Sequence, residues 1–382
     1  MATTVAILGA TGSVGRQAID VLAAMPGRFQ VVALSAWSNW EGLLAAARTV
    51  GTKALALVKE CPGSIETPAG TRLFTGETAV SRMLEETAPE FVFVAIAGAA
   101  GLPATLSAIS VARRVALANK ESLVIAGDLV TTQAAKRGTE LIPVDSEHSG
   151  IFQILDGRSP QEVRHVYLTA SGGPFLGYPP ERLEHVSPQE ALTHPTWRMG
   201  EKISIDSATL MNKALEVLEA RCLFNLQAHQ IKVLIHPESI MHSMVEFVDG
   251  SVIAQLAVPD MRLPIRYALT YPERQRHEAT KLDLSRMAAL HFRQPDPGEF
   301  PALDLGFEVA KTGGTSAAVL NAANEIAVAH FLKGAIRFPR IVELTRAVLD
   351  KHRSGPVTDL ETLFEADRWA RKEATNWLSC KA

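Results

Sequence analysis

Cysteine is scarce in this chain of 382 residues: Cys61, Cys222 and Cys380 are its three, far apart, odd in number and in no CxxC pair. That usage supplies neither a disulfide framework nor a zinc site, so a reducing, cytoplasmic setting is expected. Long apolar runs are missing as well. No uninterrupted apolar stretch of about 18 residues occurs, and MATT leads straight into VAIL without the charged region, apolar core and cleavage site of a leader. No membrane association is expected. Charge of one sign is also lacking, since 38 Lys plus Arg stand against 41 Asp plus Glu, and no basic block of the kind that follows nucleic acid is present. Nucleic acid is therefore not an expected partner. Repeats and low-complexity tracts are absent too.

What is present is ordinary for a globular protein, with 47% apolar and 21% charged residues. The length exceeds one ordinary core and points to about two or three domains. Residues 1–145 alternate short apolar runs (VAIL at 5, FQVVAL at 29, ALALV at 54, FVFVAI at 91, RVALA at 114, ELIPV at 140) with helical patterns. This rhythm predicts an α/β fold opening on a Rossmann-like parallel sheet. Val14, Ala18, Val21 and Leu22 give a helical stripe that stops at Met25-Pro26-Gly27. From 146 to 270 strand-like runs (VRHVYLTA, IKVLIH, MVEFV, SVIAQLAV) surround one helix near 208–223, which reads as an α+β substrate domain. A polar linker over 271–297 and a helical domain over 298–382 follow, the latter on the spacing of Val319, Leu320, Ala323, Ile326 and Ala327.

GATGSVG at 9–15 falls between the first strand and first helix, where backbone NH groups and a helix N-terminus face a pyrophosphate. Any tight strand-to-helix turn can also use glycine; its position at the head of a βα series favours a dinucleotide. An NAD site places an acid after the second strand, whereas Ser35-Ala36-Trp37-Ser38-Asn39 has none, which leans toward NADP. In VDSEHS, Asp145 and Glu147 are two apart, so an extended segment would turn both to one face, at the carboxyl edge of the sheet. A hard cation such as Mg²⁺ or Mn²⁺ would relieve their repulsion, although a bare DxE is also common on solvated loops. SATLMNKALEVLEARC carries the apolar stripe Met211, Leu215, Leu218 and Cys222, with Asn212, Lys213 and Glu216 beside it. This is either a phosphate and metal surface or an exposed face with an intrahelical salt bridge. SGG at 171–173 suits an oxyanion or an ordinary turn, and THPTWRMG at 193–200 reads as a cover over a site or a loop pinned by Trp197. Ala118-Asn119-Lys120-Glu121 brings further polar groups to the same sheet edge.

Together GATGSVG, ANKES, VDSEHS, SGGPF, HPTWRMG, DSATLMNKALE, HPESIMHSMVEF, VPDMRLPIRYAL and NAANEIAVAHFL follow the order of the 1-deoxy-D-xylulose-5-phosphate reductoisomerase family, which the sequence resembles over nearly its whole length. The resemblance implies a homodimeric, NADPH-dependent enzyme of isoprenoid precursor biosynthesis that rearranges and reduces 1-deoxy-D-xylulose 5-phosphate, a small sugar phosphate, to 2-C-methyl-D-erythritol 4-phosphate. It implies Asp145, Glu147 and Glu216 as ligands of Mn²⁺ or Mg²⁺, and Lys120 and Ser146 as contacts to the substrate backbone. Ser171, His194, Ser207, Asn212 and Lys213 would take the substrate phosphate, and Thr11, Gly12, Ser13, Val14, Asn119, Glu121 and Gly200 the cofactor. Lys120 and Glu147 would be catalytic, Glu147 as proton shuttle. Where the family usually carries Gly-(Lys or Arg)-Asn, this chain has Trp37-Ser38-Asn39. Ser38 and Asn39 can still hydrogen-bond a 2′-phosphate, so NADPH with weaker discrimination against NADH is expected. A semialdehyde dehydrogenase, which needs a cysteine nucleophile such as Cys222, and a non-catalytic NADP-binding sensor are the alternatives.

Overall fold

The structure is a computed structural model that describes residues 2–59, 67–276 and 281–381; Cys61 lies outside the described residues. Two compact units emerge, one of residues 1–122, 130–149 and 260–278, the other of 123–129, 150–259 and 279–382.

In the first unit the expected rhythm is realised as β1 (Thr3–Leu8), α1 (Ser13–Ala23), β2 (Phe29–Ala36), α2 (Trp40–Val50), β3 (Ala54–Leu57), β4 (Arg72–Thr75), α3 (Ala79–Thr87), β5 (Phe91–Val94), α4 (Gly101–Val111), β6 (Arg114–Leu117), α5 (Lys120–Arg137) and β7 (Glu140–Pro143). All seven strands run parallel in the order β4-β3-β2-β1-β5-β6-β7. Every residue of β3 and β5 is buried, as the unbroken apolar runs require of strands covered on both faces. The order reverses between β1 and β5, whose carboxyl ends flank the glycine turn, the place where such sheets bind ligands. β4 was not among the expected strands: RLFT lies at the sheet edge with both ends exposed, so no apolar run announces it.

Beyond β7, α6 (Ser146–Leu155) leads to β8 (Val163–Ala170), α7 (Pro180–Leu183), α8 (Pro188–Leu192), α9 (Glu201–Thr209), α10 (Met211–Leu223), β9 (Ile231–Ile235), β10 (Met241–Phe247) and β11 (Val252–Leu256). Their four-stranded sheet has the order β11-β10-β8-β9, antiparallel except for β8 with β9. The helix expected near 208–223 is α10, which starts at Met211 rather than 208, because Leu210 takes a left-handed φ of 60°; α9 before that joint was not among the expected elements. Next comes α11 (Arg262–Thr270), which packs on α1 in the first unit and so departs from the expected 146–270 domain. Its apolar face, Ile265 and Leu269 among it, is buried. After the 271–297 stretch, α12 (Pro301–Thr312), α13 (Ser316–Leu332), α14 (Arg340–Lys351) and α15 (Leu360–Lys381) join the second unit rather than standing as a separate body. One core is the reason: Met211, Leu215 and Leu218 of α10 bury against Val166 and Leu168 of β8 and Leu303, Leu305 and Val309 of α12. At Gly306 an added Cβ would come within 2.6 Å of the Ala214 Cβ, so α10 and α12 cross in close contact.

Candidate active site

The glycine turn is built for close approach. Gly9 has φ +83°, and a Cβ there would lie 2.5 Å from the Ala95 carbonyl oxygen; at Gly15 it would collide with the Gly9 carbonyl. Gly12 is different, with an ordinary φ of −74° and nothing nearer to an added Cβ than the Gly9 oxygen at 3.4 Å. Gly9 and Gly15 are thus needed by the fold, whereas Gly12 and Ser13 are exposed, with Thr11 and Val14 half-buried beside them. Helices α2 and α5 are capped by Asn39 and Asn119, which accept from the amides of Gly42 and Ser122. By contrast α1 has no side-chain cap and no acid in its first turn, which leaves a helix N-terminus suited to an anion. Past β2, Trp37 is 59% exposed and Ser38 is exposed. The Asn39 oxygen accepts from Gly42 N at 2.9 Å, so only its amide nitrogen is left to offer a phosphate. Asn119 is buried, donating to the Gly98 carbonyl at 3.0 Å and to Glu121 Oε2 at 2.9 Å.

Lys120 opens α5, a cation at the helix end where the dipole disfavours one. Its Nζ lies 2.5 Å from Asp145 Oδ2, and both side chains are largely buried. Asp145 and Glu147 do not alternate along an extended segment as expected. A helix starts at Ser146, and Asp145 Oδ1 accepts from Glu147 N at 3.3 Å in the manner of a cap. Its neighbour on that side is His148, which the sequence reading passed over; this ring is fully buried, with Nδ1 2.9 Å from Asp145 Oδ1. The i, i+3 spacing from Asp145 was the available signal once a helix is assigned. Ser146 Oγ donates to Glu147 Oε2 at 2.9 Å.

In the second unit the face of α10 is not the solvated one. Glu216 is fully buried and Lys213 is 4% exposed; they are ion-paired, and Asn212 Nδ2 donates to the other Glu216 oxygen at 2.6 Å. Asp145 and Glu216 therefore each carry a lysine ammonium as counter-charge. Ser171 Oγ is 2.9 Å from His194 Nε2 and also accepts from Gly173 N at 3.1 Å. Gly173 has φ +71°, and an added Cβ would sit 2.8 Å from the Ser207 oxygen, so the SGG turn lies tight against α9 beside Ser207. Gly200 is the N-cap of α9, directly after the THPTWRMG loop.

Within that loop the amides of Thr196 and Trp197 donate to His194 Nδ1 at 3.1 and 2.9 Å, which makes Nδ1 the acceptor and Nε2 the protonated nitrogen facing Ser171. Burial holds the His194 pKa below its ordinary 6.5. A depressed pKa stabilises the fold fully above the unfolded value, and that contribution is lost as pH falls through the folded one. We expect urea stability without substrate to decline below about pH 6.5, and His194→Gln to remove that component of the pH dependence in paired denaturation curves.

Cys222 is an unsuitable nucleophile. Its sulfur packs where a Cβ on Gly127 would be, and burial, with Asp128 adding, pushes the thiol up to about 11. Cys222→Ser should retain turnover within about twofold, since only a thiolate would carry covalent chemistry; loss of activity with an intact fold would revive that alternative.

Three family models match: 1-deoxy-D-xylulose 5-phosphate reductoisomerase over 5–127, its C-terminal domain over 141–224, and the DXP reductoisomerase C-terminal domain over 256–373. The 1-deoxy-D-xylulose 5-phosphate reductoisomerase of Pelotomaculum thermopropionicum is 48% identical over 372 residues, 96% of each chain, and that of Anaeromyxobacter dehalogenans 45% over 381 residues, covering 99% and 98%. Among solved structures, the Zymomonas mobilis reductoisomerase in complex with NADPH superposes with a TM-score of 0.89 at 39% identity, covering 99% of this chain and 98% of that one. A DOX-P reductoisomerase in complex with NADPH, fosmidomycin and magnesium gives 0.91 at 38%, with the same coverage. Across all three segments and at these identities, the chain belongs to the 1-deoxy-D-xylulose 5-phosphate reductoisomerase family.

Proposed function

We propose that the chain catalyses the NADPH- and divalent-metal-dependent rearrangement and reduction of 1-deoxy-D-xylulose 5-phosphate to 2-C-methyl-D-erythritol 4-phosphate. The observation that carries this reading is the fully buried Glu216 with Asn212 and Lys213 on its two oxygens, which sets the three groups assigned to metal and phosphate in fixed relation on one helix face. Asp145, Glu147 and Glu216 would hold Mg²⁺ or Mn²⁺, and the uncapped start of α1 with Thr11, Gly12, Ser13 and Val14 would hold the NADPH pyrophosphate. When bound, the metal supplies Lewis acidity toward the substrate's carbonyl and hydroxyl oxygens, and the nicotinamide supplies the hydride.

The protein's own groups do the rest. Ser171, His194, Ser207, Asn212 and Lys213 anchor the substrate phosphate, His194 through the Nε2 proton that now faces Ser171. Lys120 and Ser146 orient the oxygen-bearing backbone, with Lys120 balancing charge that develops there. Glu147, in the first turn of α6 beside the Ser146 hydroxyl, holds and returns the proton that moves between substrate oxygens. Closure of the His194–Gly200 loop excludes water while the aldehyde awaits reduction. Asn119, Glu121 and Gly200 line the cofactor.

We also infer a homodimer and a cytoplasmic location. Val248, Val252 and Ile253 are exposed around the edge strand β11, which favours pairing, and no described helix is long and apolar enough to cross a membrane.

The test is oxidation of NADPH, and separately NADH, on adding 1-deoxy-D-xylulose 5-phosphate with Mn²⁺ present and then chelated. Metal-dependent turnover is expected. Cofactor and ligand binding without turnover would favour the sensor instead. Because Trp37 and Ser38 stand where a basic residue usually lies, Ser38→Arg should raise the NADPH-to-NADH preference by about tenfold through a charge-assisted contact to the 2′-phosphate.

A further inference from the structure

Asp206, immediately before Ser207 on α9, is only 1% exposed, and none of the roles above uses it. Its Oδ2 is 2.7 Å from Lys202 Nζ one turn earlier, and its Oδ1 accepts from Asn324 Nδ2 of α13 at 2.8 Å. Asn324 is fully buried. Next to it, Glu325 Oε2 pairs with Arg371 Nη2 of α15 at 2.6 Å, and the same guanidinium holds Asp367 at 2.7 Å. A carboxylate at this depth is costly to desolvate and persists where fixed partners hold it.

The location of the tether matters more than its strength. Four residues on, Leu210 adopts φ 60° although it is neither glycine nor exposed, a conformation its surroundings must impose. On one side of that joint stands Ser207; on the other stand Asn212 and Lys213. The relative placement of hydroxyl, amide and ammonium therefore depends on the angle at Leu210.

We propose that Asp206 is a positioning residue: through Asn324 it ties the end of α9 to the C-terminal helices and so fixes Ser207 relative to Asn212 and Lys213 across the Leu210 joint. This rests on the phosphate reading of those three residues. It also gives the C-terminal helices, which contribute none of the assigned site residues, a part in substrate affinity.

The experiment measures kcat, KM for 1-deoxy-D-xylulose 5-phosphate, NADPH affinity and thermal midpoint for Asp206→Asn, Lys202→Met, the swap Asp206→Asn/Asn324→Asp, and Ser207→Ala. Expected is a KM about tenfold higher in Asp206→Asn with kcat within about twofold and NADPH affinity unchanged, a smaller rise in Lys202→Met, and partial return in the swap. Lys202 is 29% exposed, so its variant decides the matter if Asp206→Asn does not fold. A kcat that falls with the folded fraction at constant KM, or no change in either constant, overturns the proposal. If Ser207→Ala leaves KM unaltered, the phosphate reading fails and the proposal falls with it; if only Asp206→Asn and Lys202→Met leave it unaltered, the proposal alone fails.

Discussion

Glu216→Gln should lower kcat/KM by at least about 10³-fold, more than the roughly 10- to 100-fold that loss of an outer partner of a metal ligand costs. Two effects combine at this position. The carboxylate proposed to bind the metal becomes neutral, and the buried Lys213 ammonium loses the charge beside it. Breaking a buried pair from one side costs about 3 kcal/mol, so part of the loss would be instability rather than chemistry. The thermal midpoint of the double variant Glu216→Gln/Lys213→Met isolates the stability part and should recover; its activity is not the readout, because Lys213 is itself assigned to the substrate phosphate. Mn²⁺ titration followed by electron paramagnetic resonance gives the binding half independently of turnover, and unaltered Mn²⁺ affinity would remove Glu216 from the ligand set.

Substitutions in the glycine turn should have opposite signatures at neighbouring positions. Gly15→Ala places a methyl against the Gly9 backbone and should destabilise the fold by about 3 kcal/mol or more, because backbone cannot move aside as a side chain can. Gly12→Ala meets no such obstacle, so its thermal midpoint should be unchanged while NADPH binding weakens by about tenfold or more, the methyl standing between the amides and the pyrophosphate. Calorimetric titration of NADPH with unfolding curves for both variants distinguishes a fold requirement from a ligand requirement. Weak binding in neither variant would mean that the turn does not hold the cofactor.

Much of this was legible because the first unit's central strands are buried on both faces and so appear as unbroken apolar runs. β4 was not legible, since an edge strand needs no such run. The break at Leu210 was hidden for another reason: the helical stripe begins only at Met211, and a left-handed leucine is imposed by tertiary packing that no local pattern encodes. In VDSEHS the signal was present and read with the wrong period. Asp-Ser-Glu-His before an apolar Ile151 is a helix start as well as an alternating strand end, and the helical choice alone brings His148 back to Asp145. For α11 the pattern gave the helix but not its destination, because an apolar face does not name the surface that will cover it.

The lysines that accompany Asp145 and Glu216 have a bearing on how such an enzyme tolerates scarcity. In small metal-dependent domains the ion supplies folding free energy, and a chelator unfolds the chain. Here each carboxylate has a resident ammonium, so its charge is already balanced within the fold. Stripping the metal should leave a folded, protease-resistant reserve that regains activity on resupply, without a new round of synthesis.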